Sequence, residues 1–180
     1  MKLTVILLFF LALSGCAGTY EPSESFLSMR GKITRPQAVA TLQEVSKRTG
    51  ADAEAVICQL GQGYGLDNNT RLKFTETGFS YRAYTKGKFV EEKAGVQYFE
   101  KGYFEKSIPF DEIDTVRILP YQGSECQRAK FGKFDYIIVL QDNPFRAALS
   151  MAVNKNGLDK YLAAIASLTN NPRIVQGEGL

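Results

Sequence analysis

Two stretches of the chain space their apolar positions as amphipathic helices do. The first follows residues 34–37, which have the form of a capping box, and it repeats Val39, Leu42 and Val45 at three-residue intervals. The second stretch ends before Pro172 and carries a continuous apolar stripe, formed by Leu158, Tyr161, Leu162, Ile165 and Leu168. We expect one helix at each place, the last one beginning near residues 154–156.

Between these helices the apolar period changes to two, which predicts strands. Residues 72–74 and 79–83 alternate on either side of a turn at 76–78, and this pattern predicts a hairpin. Residues 134–140 (FDYIIVL) form the most apolar strand and predict a second hairpin with residues 145–153. Residues 108–113 and 116–118 are strand-like, although Pro109 restricts its strand to an edge, a start or a bulge. Residues 51–60 fit a helix or a strand.

These elements predict an α+β fold: an antiparallel meander of six or seven strands, with one helix before it and an amphipathic helix after it. Residues 72–84, 107–118 and 134–168 resemble the bacterial pleckstrin-homology-like family, which implies a small sandwich or barrel. The phosphoinositide-binding role of that family is not expected here, because the turn at 76–78 supplies no basic cluster. An α+β sandwich of another topology is the alternative.

The first sixteen residues have the three-part pattern of a bacterial export signal. Lys2 supplies the positive charge, and residues 3–13 form an apolar run shorter than the about 20 residues that span a bilayer. Residues 13–16 (LSGC) resemble a lipobox, which implies that a signal peptide of residues 1–15 is removed. Cys16 would then carry diacylglycerol and palmitate. A retained signal anchor would need a longer apolar run, and ordinary secretory cleavage would not need the cysteine.

The resemblance to bacterial lipoproteins also implies a location. Ala17 is not the aspartate that favours inner-membrane retention, so we expect an outer-membrane lipoprotein facing the periplasm, with the inner membrane or the cell surface as alternatives. Residues 16–33 are polar and broken by Pro22, and we expect a flexible tether of about 20–25 Å. Docking of Phe26, Leu27 and Met29 is the alternative. One globular domain should cover residues 34–172, with a disordered tail at 173–180.

Composition narrows the classes of function. The chain has 180 residues, enough for about one domain, and its net charge of +3 comes from interspersed charges, so no nucleic-acid partner is expected. The chain contains no histidine, which excludes histidine-based catalytic triads and histidine-ligated zinc sites. We expect no catalytic residues, no metal site and no cofactor.

Cys58 and Cys126 are the cysteines that remain once Cys16 is acylated. An oxidising compartment favours a structural disulfide between them. Two buried free thiols and a redox-active pair are the alternatives, although no C-x-x-C motif is present to lower a thiol pKa.

Residues 98–106 contain two near-copies of Tyr-Phe-Glu-Lys around a glycine. Exposed aromatic patches often mark contacts with proteins or membranes, so Tyr98, Phe99, Tyr103 and Phe104 are candidate partner-binding residues. The alternative is a hairpin that directs every second ring into the core.

The leading hypothesis is therefore a non-catalytic envelope lipoprotein that binds another envelope protein, as an assembly accessory held to the membrane by its lipid. A carrier or sensor of lipid or another apolar ligand is the alternative. A glycan hydrolase using two carboxylates is a third hypothesis. Its candidate carboxylates are Glu91, Glu92, Glu100, Glu105, Asp111, Glu112 and Asp114.

Overall fold

The structure is a computed structural model that describes residues 18–49, 52–61, 64–67, 69–123, 126, 132–144 and 146–177. Cys16 and the predicted signal peptide lie outside the described residues. Three α-helices occur in the described part of the chain: α1 (Glu24–Arg30), α2 (Arg35–Lys47) and α3 (Leu158–Leu168). Together with two sheets they confirm the predicted α+β class.

Ten strands occur in the described residues, more than the six or seven predicted. They are β1 (Gly18–Thr19), β2 (Ala55–Leu60), β3 (Tyr64–Gly65), β4 (Lys73–Phe74), β5 (Gly78–Lys93), β6 (Val96–Pro109), β7 (Thr115–Pro120), β8 (Tyr136–Asn143), β9 (Arg146–Val153) and β10 (Arg173–Gln176). Seven strands form one sheet in the order β1-β10-β7-β8-β9-β2-β3, and β4-β5-β6 form a second. All pairs are antiparallel except β10 with β7. Neither sheet closes into a barrel over the described strands.

The two predicted helices and the predicted central strand are present, although α3 begins at Leu158 with Gly157 as its N-cap, and neither Asn154 nor Asn156 caps it. The Thr34 hydroxyl accepts from the Gln37 backbone N–H, and the Gln37 side chain accepts from the Thr34 N–H at 2.9 Å, so the capping box starts α2. Strand β8 lies between β7 and β9, and the β8–β9 hairpin is present, with Phe145 outside the described residues. Helix α3 buries Tyr161, Leu162 and Ile165 in the core.

The prediction of a flexible tether is wrong for residues 18–33. Strand β1 pairs with β10, and α1 follows with Ser23 as its N-cap, accepting from the Phe26 N–H at 2.9 Å. The Ser23 hydroxyl also donates to Asp159 at the start of α3, at 2.7 Å. Phe26 is buried, whereas Leu27 and Met29 are exposed. The docking alternative therefore holds for Phe26. Its ring attaches this segment to the rest of the folded domain, which we name the body.

The prediction of a disordered tail is wrong for residues 173–177, and residues 178–180 lie outside the described part. Strand β10 pairs parallel to β7, with Ile174 opposite Val116, and β1 occupies its other edge. Ile174 and Val175 are half-buried between these neighbours. Two apolar residues give little sequence signal, and their pairing depends on strands distant in sequence.

Two further segments differ from the simplest prediction. Residues 108–113 are not one strand, because β6 ends at Pro109 and a 3₁₀ turn, Phe110–Glu112, follows. The ambiguous segment 51–60 becomes β2 from Ala55 onward, consistent with the β propensity of Val56 and Ile57.

Candidate functional site

The most unusual element is the hairpin formed by β5 and β6. Its pairing runs from Gly78 opposite Pro109 to Lys93 opposite Val96. Ala94 and Gly95, with φ of 52° and 77°, make the two-residue connection, as a hairpin turn with left-handed residues requires. The 16 residues of β5 span about 50 Å, far more than an average strand.

The base of this hairpin belongs to the hydrophobic core. Phe79, Tyr81 and Ala83 are buried on one face of β5, and the Phe79 ring lies 5.8 Å from the Phe110 ring. Tyr84, the next residue, is exposed, and every residue from 91 to 97 is exposed. We name residues 85–102 the distal arm; it is a two-stranded ribbon about 30 Å long. The arm shares no strand pairing with the seven-stranded sheet.

Two tyrosines and an arginine lie together where the distal arm leaves the body. Tyr84 and Tyr103 are directly opposite in register, and their rings meet edge to face at 5.2 Å. The Arg82 guanidinium lies 4.3 Å from the centre of the Tyr103 ring, within the range of a cation–π contact. The tyrosines remain 44% and 39% exposed. We name Arg82, Tyr84 and Tyr103 the tyrosine patch.

The tyrosine patch is fixed in place by the loop that precedes β4. The Arg82 backbone N–H donates to the Thr70 carbonyl at 2.6 Å, and the Asn69 side chain donates to the Tyr103 hydroxyl at 3.1 Å. Thr70 is buried, which attaches this loop to the body. The exposed rings are therefore held in a defined arrangement.

The structure places the four predicted partner-binding residues on β6. Tyr103 is exposed and Phe104, on the opposite face, is half-buried. The side chains of Tyr98 and Phe99 lie outside the described part. The alternation of rings expected for a hairpin is therefore present for Tyr103 and Phe104. Sequence reasoning missed Arg82 as a site residue, because its place beside Tyr103 depends on the register of a long hairpin.

Cys58 and Cys126 lie within a second, smaller core cluster and are 7% and 3% exposed. Their Cα atoms are 4.9 Å apart, and the two residues form a disulfide between β2 and the segment that follows β7. Phe134 and Ile137 pack beside it. The disulfide is therefore buried on the face of the sheet opposite the main core.

The acidic residues do not form one site. Glu91 and Glu92 lie near the tip of the hairpin and Glu91 pairs with Lys93, whereas Asp111 follows the base of β6. These ends are about 40 Å apart along the ribbon, whereas glycosidase carboxylates are separated by about 5–9.5 Å. Among the described residues, no group of three or more Cys, Asp or Glu side chains is arranged to hold a metal ion.

Two open clefts are present on the described surface. One, of about 380 Å³, lies between the end of α2 and the loop before β4, beside Lys47, Asp67 and Arg71. The other, of about 360 Å³, has a mixed lining that includes Thr77, Phe79 and Ile108. The carrier hypothesis places its pocket between the sheet and α3, but side chains such as Tyr161 and Ile165 fill that space.

No described helix is both long enough and apolar enough to cross a bilayer. The chain matches no protein-family model, no curated protein and no solved structure at a significant level of similarity.

Proposed function

We propose that this protein is a non-catalytic envelope lipoprotein, held to the outer membrane by acylated Cys16, that binds another envelope protein through the tyrosine patch. The observation that carries the proposal is the exposed pair Tyr84 and Tyr103, with Arg82 over the second ring. The lipobox-like residues 13–16 support the anchor.

The chemistry of the patch fits a protein interface. Tyrosine and arginine are enriched among the residues that contribute most to protein–protein binding, because each combines a large apolar surface with a polar group. Hydrogen bonding of Asn69 to Tyr103 fixes one ring in advance. Less side-chain entropy is then lost when a partner binds.

The distal arm extends this interface beyond the body. A ribbon with exposed strand edges presents backbone N–H and C=O groups that a partner strand can pair with. The sequence of the hairpin is also rich in lysine, a composition that limits unspecific pairing between exposed edges. The partner is therefore expected to contact the patch with side chains and the arm with backbone.

Photo-crosslinking in living cells tests the proposal. A benzophenone amino acid replaces Tyr84 or Tyr103 in the full-length protein, and Leu27 is replaced in a matched control, because Leu27 is 54% exposed and lies on α1. We expect a discrete protein adduct from positions 84 and 103 and not from position 27. Adducts of equal pattern from all three positions, or none from the patch, would contradict the proposal.

Substitution then measures the energy of the contact. Tyr84→Ala with Tyr103→Ala should weaken binding to the crosslinked partner at least about 30-fold, because central tyrosines cost about 2 kcal/mol or more when truncated. Leu27→Ala should leave binding unchanged. Formation of the Cys58–Cys126 disulfide in each variant verifies that the fold is retained.

A further inference from the structure

The chain between the lipidation site and the folded body is very short. Cys16 precedes Gly18, the first residue of β1, by two positions, so their Cα atoms are at most about 7 Å apart. A flexible tether of residues 16–33 would have placed the domain about 20–25 Å from the bilayer. Since residues 18–33 are folded against the body, the domain lies much closer to the bilayer than such a tether would place it.

The register of the large sheet identifies which surface lies next to Cys16. Gly18 is opposite Gln176 on β10, and Gln176 is opposite Ile118 on β7. Pro120, two residues beyond Ile118, is opposite Tyr136, the first residue of β8. We name this end of the sheet, where β1 and β8 begin and β7 and β10 end, the anchor end.

The opposite end of the sheet, where β7 and β10 begin, holds three acidic residues, Asp111, Glu112 and Asp114, and we name it the acidic end, although Arg146 and Arg173 are also exposed there. Asp114 precedes β7, its backbone N–H bonds to the Gln141 carbonyl, and its carbonyl accepts from Arg173. Asp111 and Glu112 are exposed on the 3₁₀ turn just before it. At the anchor end Lys133 and Lys155 are exposed, alongside the acidic residues Asp135, Asp52 and Glu54. Because both ends carry charges of both signs, the short link to Cys16, and not charge, determines which end lies next to the bilayer.

We propose that the anchor end of the seven-stranded sheet lies directly on the lipid surface of the membrane and the acidic end faces away from it. This inference rests on the acylation of Cys16 in the proposed function, and it adds a second contact, with lipid headgroups, and a fixed orientation. The occupant of the surface is the bilayer that holds the acyl chains. Covalent attachment makes the effective lipid concentration at the anchor end high.

The absence of tryptophan from the chain permits a direct test. Gln176→Trp places a single fluorophore at the anchor end, and Asp111→Trp places one at the acidic end; both positions are exposed. Each full-length acylated variant is reconstituted in vesicles of phosphatidylcholine and phosphatidylglycerol, with and without a lipid that carries a nitroxide on its headgroup. We expect the fluorophore at position 176 to lose most of its emission to the nitroxide and the fluorophore at position 111 to keep its emission.

Equal quenching of the two fluorophores, or stronger quenching at position 111, would overturn the proposed orientation. A flexible Gly-Ser segment inserted between Ala17 and Gly18 should restore the emission at position 176 while the protein stays on the vesicles. Mass spectrometry of the same samples shows whether Cys16 is acylated, and so separates a failure of the anchor from a failure of the proposed orientation. An unacylated Cys16 overturns the anchor and this inference together, whereas an acylated chain with an unquenched fluorophore at position 176 overturns the inference alone.

Discussion

At the scale of single residues, Phe26 decides whether the N-terminal segment is part of the fold. Its ring is 1% exposed and meets Tyr20 edge to face at 5.9 Å. Phe26→Ala should lower the free energy of unfolding by about 3–5 kcal/mol, because it leaves a cavity between α1 and α3. Urea unfolding measures this change. Leu27→Ala, one residue further on, should change stability by less than about 0.5 kcal/mol. Equal stabilities of the two variants would mean that α1 does not dock.

The disulfide gives a second prediction at this scale. It closes a loop with a sequence separation of 68 residues, so its loss should cost about 4 kcal/mol by loss of the loop constraint on the unfolded chain. We expect the double variant Cys58→Ala, Cys126→Ala and the reduced wild-type protein to unfold at the same, lower urea concentration. A urea unfolding midpoint unaffected by reduction would show that the disulfide contributes nothing to stability.

Glu54 gives a small pH dependence. Hydrogen bonding and charge attraction from Lys160, 3.0 Å away, lower the pKa of Glu54 below its ordinary value, and Arg48 adds to the effect. A lowered folded-state pKa stabilises the fold above the unfolded-state pKa, and that stabilisation is lost as the pH falls through the folded-state pKa. Glu54→Gln should therefore reduce stability at neutral pH and approach the wild type as the pH falls through the lowered folded-state pKa of Glu54. Since the carboxylate is half-exposed, the difference should stay below about 1 kcal/mol. Thermal unfolding at several pH values measures it.

The candidate site was only partly predictable from its residues. The aromatic density of residues 98–106 indicated Tyr103, since exposed rings are recognisable by composition. Arg82 and Tyr84 join Tyr103 only because of the hairpin register, which depends on the turn at Ala94 and Gly95 and on two irregularities, one between Thr85 and Lys88 and one between Phe89 and Glu91. That turn contains no proline or asparagine, so its residues are a weak signal for a hairpin.

At the scale of elements, the sequence predicted those helices and strands whose formation depends mainly on residues close together in the chain. The capping box predicts the start of α2 at Thr34, and the apolar run of residues 134–140 predicts the central position of β8. Strand β10 and helix α1 are short, and each is stabilised by a partner far away in sequence. Their residues alone do not carry enough periodicity to indicate an element.

The hairpin gives a prediction at this scale, namely that the distal arm does not stabilise the body. Replacing the distal arm by Asn-Gly joins the paired residues Tyr84 and Tyr103 through a two-residue turn. We expect the free energy of unfolding to stay within about 0.5 kcal/mol of the wild type, because the described tip residues 91–97 are all exposed. Urea unfolding measures it. A large loss of stability would mean that the arm packs on the body.

The same shortened variant separates the two parts of the proposed interface. It retains the tyrosine patch, so a partner that uses the patch alone should bind it as it binds the wild type. A partner that also pairs with the ribbon should bind it more weakly, because the backbone hydrogen bonds to the arm can no longer form. Loss of binding with an unchanged fold would assign the interface to the distal arm.

At the scale of the whole molecule, the topology brings the two ends of the described chain together. Strand β1 and the end of β10 pair at one edge of the large sheet, and β10 joins β7 in the only parallel pair of the described strands. The lipid proposed on Cys16 would therefore lie next to this edge, where β1 is the outermost strand. The distal arm belongs to the other sheet, so anchoring and the proposed partner contact use different surfaces.

The lipid anchor itself gives the last prediction. Cells grown with labelled palmitate should incorporate the label into the wild-type protein, because an acylated N-terminal cysteine carries fatty acid, and two or more chains hold a protein stably on a bilayer. Cys16→Ser should abolish the label and leave the residues of the signal peptide uncleaved. The matched control is the double variant Cys58→Ala, Cys126→Ala, which removes the other two cysteines and should be labelled like the wild type. Label that persists after Cys16→Ser would place the fatty acid elsewhere, and the argument that the anchor end touches the bilayer would then lose its premise.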